Sequence, residues 1–219
     1  MDFGVARRAL AAVPYVTKQN LGVLLNASPA TLDYRVRRMQ KAGDLIPLRA
    51  GLYVPAPSWQ TADATREGKQ RLLEYLSGIV RFPSYVSLAY VLERAGVIPE
   101  SPFAVTCVTQ KTPRTYVTPI GTFVYRQIRR PGLFADYDLV PYQGLQVAIA
   151  PPGKALFDTL YLRPFKTAQE MSSYLLETGR FNWDALAPQD RRKFAVLVRK
   201  TGIPKMKRIL AILQKESIL

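Results

Sequence analysis

Residues 28–54 read SPATLDYRVRRMQKAGDLIPLRAGLYV, and the chain is organised around them. Ser28 suits a helix N-cap, because its hydroxyl accepts an otherwise unpaired first-turn N–H. Pro29 suits the first helical position, where its missing N–H costs nothing. Gly43 suits the C-terminal stop, where a positive φ is usual. Between them Leu32, Val36 and Met39 share one helical face. Thr31, Tyr34, Arg37, Arg38 and Lys41 fall on the other face or its shoulders, with Arg35 at the edge. One face can pack on a core while the other carries positive charge and hydrogen-bond donors. Leu45-Ile46-Pro47-Leu48 and Leu52-Tyr53-Val54 then read as two short strands around an Arg49-Ala50-Gly51 turn. A helix followed by a small basic hairpin is how a winged helix-turn-helix meets DNA.

The rest of this unit fits the same pattern. Phe3, Ala6, Leu10 and Val13 mark the inner face of a first helix, stopped by Pro14. Thr17 can cap a second, with Leu21, Leu24 and Leu25 inward, and Asn26-Ala27 turns into the Ser28 cap. On this reading Tyr34, Thr31, Arg35 and Arg38 face bases or flanking phosphates. Arg49 reaches a phosphate or the minor groove, and Lys18 and Lys41 add backbone contacts. Ser28 and Arg37 complete the expected DNA-binding set.

Charge points the same way. Among 219 residues, 31 Lys and Arg face 16 Asp and Glu, a net charge of +15. A polyanionic partner accounts for this most simply, since neutralising phosphates with counterion release drives nucleic-acid binding. Cys107 is the one cysteine and histidine is absent. This excludes an internal disulfide, a Cys/His zinc site and any Ser-His-Asp or Cys-His catalytic set. No charged start leads into an apolar run with a small-residue cleavage site, and no stretch approaches a membrane span. A reduced, cytoplasmic location is expected.

Further along, Pro55 to Thr65 reads as a linker, rich in Pro, Ala, Ser and Thr. Arg66 to Val80 reads as a helix with Leu72, Leu73, Leu76 and Ile79 inward. Pro83-Ser84 breaks it, and Ser84 can cap a helix from Tyr85 to Ala95. From Phe103 the period becomes two, as in a strand, with Cys107 a packed thiol. Tyr116 to Ile128 reads as a hairpin turning near Pro119-Ile120-Gly121. Leu139 to Tyr142 and Leu145 to Ala150 read as a strand pair around Gln143-Gly144. Pro151-Pro152-Gly153 opens a helix to Leu162, and the tail is helical, ending with a Met206, Ile209, Leu210, Leu213 stripe. Lys205, Lys207 and Arg208 around that stripe form either a solvated face or a second phosphate-contacting surface.

Catalytic signals are weak. Pro152-Gly153-Lys154 lacks the upstream glycines of a phosphate loop. Glu67-Gly68-Lys69 has the acid-x-Lys spacing of metal-dependent nucleases, but Asp63 lies in linker-like sequence and not on a strand, so a helix-starting charge cluster is preferred. Asp136 and Asp138 flank Tyr137 as a solvated pair. No catalytic residue, metal ligand or cofactor is expected.

The motifs in combination resemble a known family. They are Arg49-Ala50-Gly51-Leu52-Tyr53; Ser84 to Tyr90 leading to Gly96-Val97-Ile98-Pro99-Glu100; Thr106-Cys107-Val108-Thr109 before Lys111 and Arg114; Gly121 to Arg126; and Ala150-Pro151-Pro152-Gly153-Lys154-Ala155-Leu156-Phe157-Asp158-Thr159-Leu160-Tyr161-Leu162. This order is similar to that of the AbiEi antitoxins of bacterial AbiE-type (type IV) toxin–antitoxin and phage-defence operons. The resemblance runs from the wing to about Leu162. It implies a protein that represses its own operon by binding promoter DNA and neutralises a nucleotidyltransferase toxin, often without a stable complex. It places antitoxin activity in the second domain and repression in the first. The expected fold is α+β: a winged helix-turn-helix in residues 1–57, then an α/β antitoxin domain in residues 66–219 with a small, mostly antiparallel sheet and a helical C-terminus. The alternatives are a winged-helix regulator unconnected with a toxin and a nuclease using Glu67 and Lys69.

Overall fold

The computed structural model describes residues 8–99 and 104–219. Phe3, Ala6, Glu100 and Phe103 lie outside the described residues. The fold is α+β, with a three-stranded antiparallel sheet near the N-terminus, a six-stranded mixed sheet and a helical C-terminus. Two compact units divide the chain: one takes the described residues up to Arg81 with Thr115–Thr122, the other those from Phe82 to Arg114 with Phe123–Leu219.

In the first unit, residues 8–11 are helical. Strand β1 (Val16–Thr17) precedes the helix Lys18–Leu25, and the helix Pro29–Lys41 follows. Strands β2 (Leu45–Arg49) and β3 (Leu52–Pro55) form a hairpin, and β1 pairs with the other edge of β3 in the order β1-β3-β2. Leu10, Val16, Leu21, Leu25, Leu32, Val36, Met39, Leu45 and Tyr53 make one buried cluster. Each comes from a position the periodicity assigned inward or from a facing strand, so hydrophobic burial pulls all these elements onto one core.

Residues 56–63 are not a linker. Ala56–Asp63 is a helix with Pro at its start, and Ser58 Oγ donates to the carbonyl of Val13 at 2.7 Å. None of its residues is buried, so it has no apolar period to read. Thr65 caps the helix Arg66–Val80, accepting from Gly68 N–H at 3.0 Å.

In the second unit the segment from Ser84 is not helical at first. Ser84–Val86 is a strand, β4, and the helix spans only Ala89–Arg94. The reason is position: β4 lies between β5 (Ala104–Thr109) and β9 (Leu145–Ile149), so all three of its residues are buried and show no alternation. The sheet order is β6-β7-β5-β4-β9-β8, with β6 at Arg114–Thr118, β7 at Gly121–Gln127 and β8 at Asp138–Tyr142. The β4–β9 pair is parallel and the β8–β9 pair antiparallel, with Tyr142 opposite Leu145. Gln143 and Gly144 close that hairpin at φ of 47° and 75°, the conformation a two-residue turn needs.

The helix Pro152–Leu162 is buried on most sides and packs on the helix Pro188–Thr201. Gly153 makes that approach possible: a Cβ there would overlap the Asp190 carbonyl oxygen. Its N–H donates to Asp190 Oδ1 at 3.0 Å. Phe194, Leu197 and Val198 are buried from that second helix, and Met206, Ile209, Leu210 and Leu213 from the helix Pro204–Lys215.

Candidate nucleic-acid interface

Thr17 Oγ1 accepts from Asn20 N–H at 3.2 Å and starts the Lys18–Leu25 helix. Asn26 ends it in the left-handed conformation at φ 45°, which Asn tolerates better than most residues. Ser28 follows as cap, its hydroxyl donating to Thr31 Oγ1 at 3.0 Å. The two helices approach closely at Gly22, where a Cβ would meet Leu32 Cδ2 at 3.2 Å. The turn therefore holds the Pro29–Lys41 helix firmly, with Leu32, Val36 and Met39 facing inward.

Its outer surface holds Thr31, Tyr34, Arg37, Arg38 and Lys41, all exposed. Tyr34 is 67% exposed, high for an aromatic ring. Asp33 shares this surface but is paired with Lys18, whose ammonium holds the Asp33 carboxyl below the usual carboxylate range. Lys18 is correspondingly occupied.

Two further cations expected to meet DNA, besides Lys18, have structural partners. Arg35 is half-buried, and its Nη1 donates to the Leu25 carbonyl at 2.9 Å, closing the end of the preceding helix. Arg49 Nε donates to the Val80 carbonyl at 3.0 Å and Nη1 to the Ala50 carbonyl at 3.3 Å. Sequence spacing puts both near the helix face or the hairpin turn, but the Leu25 acceptor lies on the preceding helix and the Val80 acceptor 31 residues from Arg49.

The C-terminal cations also separate. Lys205 is half-buried and donates to the carbonyls of Tyr161 and Arg163, and burial pushes its ammonium below its ordinary range. Lys207 and Arg208 are exposed.

The second unit contains a charge cluster of a different kind. Lys154 is 1% exposed, so no phosphate reaches it. Its Nζ donates to Asp158 Oδ1 at 2.6 Å and to the Leu133 carbonyl at 2.8 Å. Asp158 Oδ2 accepts from Tyr85 Oη and Ser87 Oγ, each at 2.9 Å. Burial pushes the Asp158 carboxyl above its ordinary range, while Lys154 and the two hydroxyls pull it back. Burial and the nearby Asp158 charge likewise push the Tyr85 phenol up. Every member has a partner, so the cluster joins the Pro152–Leu162 helix to β4. The Pro-Gly-Lys triplet is therefore a packing motif whose signal was the i,i+4 spacing of Lys154 and Asp158.

Asp63 pairs with Lys69 at 2.8 Å, and Lys69 lies 5.2 Å from the Trp59 ring centroid. Glu67 is exposed in the first turn of its helix. Asp136 pairs with Lys200 at 3.3 Å and Lys193 at 3.8 Å. Among the described residues no three His, Cys, Asp or Glu side chains gather where they could hold a metal ion, and no helix is long and apolar enough to cross a membrane. Compared with protein-family models and with curated proteins, the chain matches none.

Proposed function

We propose that this chain is a DNA-binding antitoxin and autorepressor, with a winged helix-turn-helix that reads promoter DNA and a second domain that neutralises a nucleotidyltransferase toxin in the bacterial cytoplasm. The observation that carries the DNA-binding reading is the outer face of the Pro29–Lys41 helix. Leu32, Val36 and Met39 are buried on the opposite face, and Thr31, Tyr34, Arg37, Arg38 and Lys41 stand exposed on this one. Such a face enters a major groove with donors toward base edges and cations toward phosphates. Arg38 and Arg37 are the base-reading candidates, and a bidentate arginine–guanine contact contributes about 1–3 kcal/mol of discrimination. Arg35 acts by holding the helix in place. Lys41 supplies a phosphate contact, and Lys18 does so on leaving Asp33.

The antitoxin assignment rests on the resemblance, from the wing to about Leu162, to AbiEi antitoxins. The chain is proposed to act by binding and to catalyse nothing. The test places the gene, its upstream region and its neighbouring open reading frame in a bacterial host. Expected are repression of a reporter by the wild-type chain, its loss in an Arg37→Ala/Arg38→Ala variant, and rescue of growth from a toxic neighbour by both. A harmless neighbour leaves a DNA-binding regulator without a toxin. Full repression by the double variant removes the recognition-helix assignment.

A further inference from the structure

Two concavities in the second unit are lined by cations and by no carboxylate. The first, of about 370 Å³, is lined by Arg126 and Arg163 with Leu88, Thr106, Thr159 and Tyr174 among its walls. The second, of about 540 Å³, is lined by Lys166, Lys205 and Arg208 over Phe165, Met171 and Ile212. Consecutive residues of one segment serve both: Arg163 and Pro164 line the first, Phe165 and Lys166 the second. Lys205 fastens that segment by donating to the carbonyls of Tyr161 and Arg163. Arg126, Arg163, Lys166 and Arg208 are exposed. Cations lining a concavity with no acid among its walls give it a positive potential that attracts a polyanion.

The walls are shaped as well as charged. The Arg163 guanidinium carbon lies 3.7 Å from the Tyr174 ring centroid, so the ring holds that plane in place. Tyr174 begins a π-helical turn, Tyr174–Thr178, a rare feature that recurs at functional sites. Leu88, another lining residue, has φ 65° and ψ −144°, strained for a branched side chain. Thr106 fastens this corner, donating to the Ser87 carbonyl at 2.6 Å and accepting from Tyr90 N–H at 3.1 Å. Backbone strain that the surroundings enforce collects at ligand sites.

We propose that the two concavities together bind a short run of single-stranded nucleic acid, its phosphates on Arg126, Lys166 and Arg208 and one base against the outer face of the Arg163 guanidinium. Phosphate-tracking cations beside a stacking plane are what single-strand binders use, and arginine planes stack on bases. This site shares no residue with the proposed duplex-reading helix.

The experiment measures fluorescence anisotropy of the full chain with a short labelled RNA, its DNA counterpart, the duplex and a polyglutamate competitor. Binding of the single strands is expected to weaken about tenfold or more in an Arg126→Ala/Arg163→Ala/Lys166→Ala/Arg208→Ala variant, with the salt slope falling by about 2–3. Arg163→Lys keeps the charge and loses the plane. It is expected to weaken binding about fivefold, the low end of one stacked base. Arg37→Ala/Arg38→Ala weakens single-strand binding far less than the fourfold variant does. Unaltered binding by the fourfold variant overturns the proposal. So does an equal loss when the exposed Arg129, Arg192, Arg199 and Lys215 are replaced instead, or equal displacement by polyglutamate. Thermal melts of each variant separate lost binding from lost folding.

Discussion

Lys154 and Asp158 are the most consequential pair of single residues. Two buried charges are tolerated because each meets the other and the remaining valences meet Leu133, Tyr85 and Ser87. Removing one partner strands the other, at a cost of about 3–5 kcal/mol. Lys154→Met is therefore expected to lower unfolding stability by about that much in urea titration at neutral pH. The sign of its pH dependence follows from the carboxyl. Without Lys154, desolvation acts with less opposition and the folded carboxyl holds a proton above its ordinary value of 3.8. The folded state then binds more protons than the unfolded one, so the variant regains stability as pH falls toward that value. A variant that loses stability over that interval contradicts the account. Adding Asp158→Leu restores only part of the loss, because the Tyr85 and Ser87 hydroxyls lose their acceptor, at about 1–3 kcal/mol each.

Arginines 35, 37 and 38 are neighbours in sequence with different work. Arg35→Ala loses a charged hydrogen bond to the Leu25 carbonyl and is expected to cost about 1.5–3 kcal/mol. Arg37→Ala and Arg38→Ala, exposed, are expected to leave the melting temperature unchanged. Asp33 offers a charge test. Its folded carboxyl is held low by Lys18, so its contribution is present above 3.8 and lost as pH falls through the lowered folded value. Asp33→Asn removes that dependence and frees Lys18. On the proposed function it tightens duplex binding and raises the salt slope by about 1.

At the scale of elements, regular patterns were legible and crowded ones were not. The Pro29–Lys41 helix showed its cap, its apolar row and its stop. The stripe of Met206, Ile209, Leu210 and Leu213 and the Gln143-Gly144 turn were equally readable, because local spacing decides each. β4 reads as helix in the sequence because a strand covered on both faces has no alternation, and its neighbours β5 and β9 are distant in sequence. The Ala56–Asp63 helix was missed because it buries none of its residues. Of the candidate interface, the exposed helix face was legible. The engagement of Arg35, Arg49 and Lys205 by the carbonyls of Leu25, Val80 and Tyr161 was not, since those acceptors lie 10 or more residues away. The cations of the two concavities, Arg126, Arg163 and Lys166, are not legible as a group because no helical stripe or run joins them. One element prediction isolates a close approach. Gly153→Ala drives a methyl into the Asp190 carbonyl and is expected to cost about 1–3 kcal/mol or more, read as a lowered denaturation midpoint.

For the whole molecule, a net charge of +15 makes association with any polyanion fast and salt-dependent, and so does not by itself identify DNA as the partner. Base readout adds something charge does not: a difference between one duplex and another at fixed ionic strength. The most direct measurement is the affinity of the full chain for the duplex upstream of its own gene and for a shuffled duplex, across a salt series, with Arg37→Ala/Arg38→Ala alongside. The wild type is expected to prefer the upstream duplex by about a hundredfold or more at physiological salt, and the double variant to lose most of this preference while keeping its fold. Equal affinity of the wild type for both duplexes at every salt concentration would contradict that expectation.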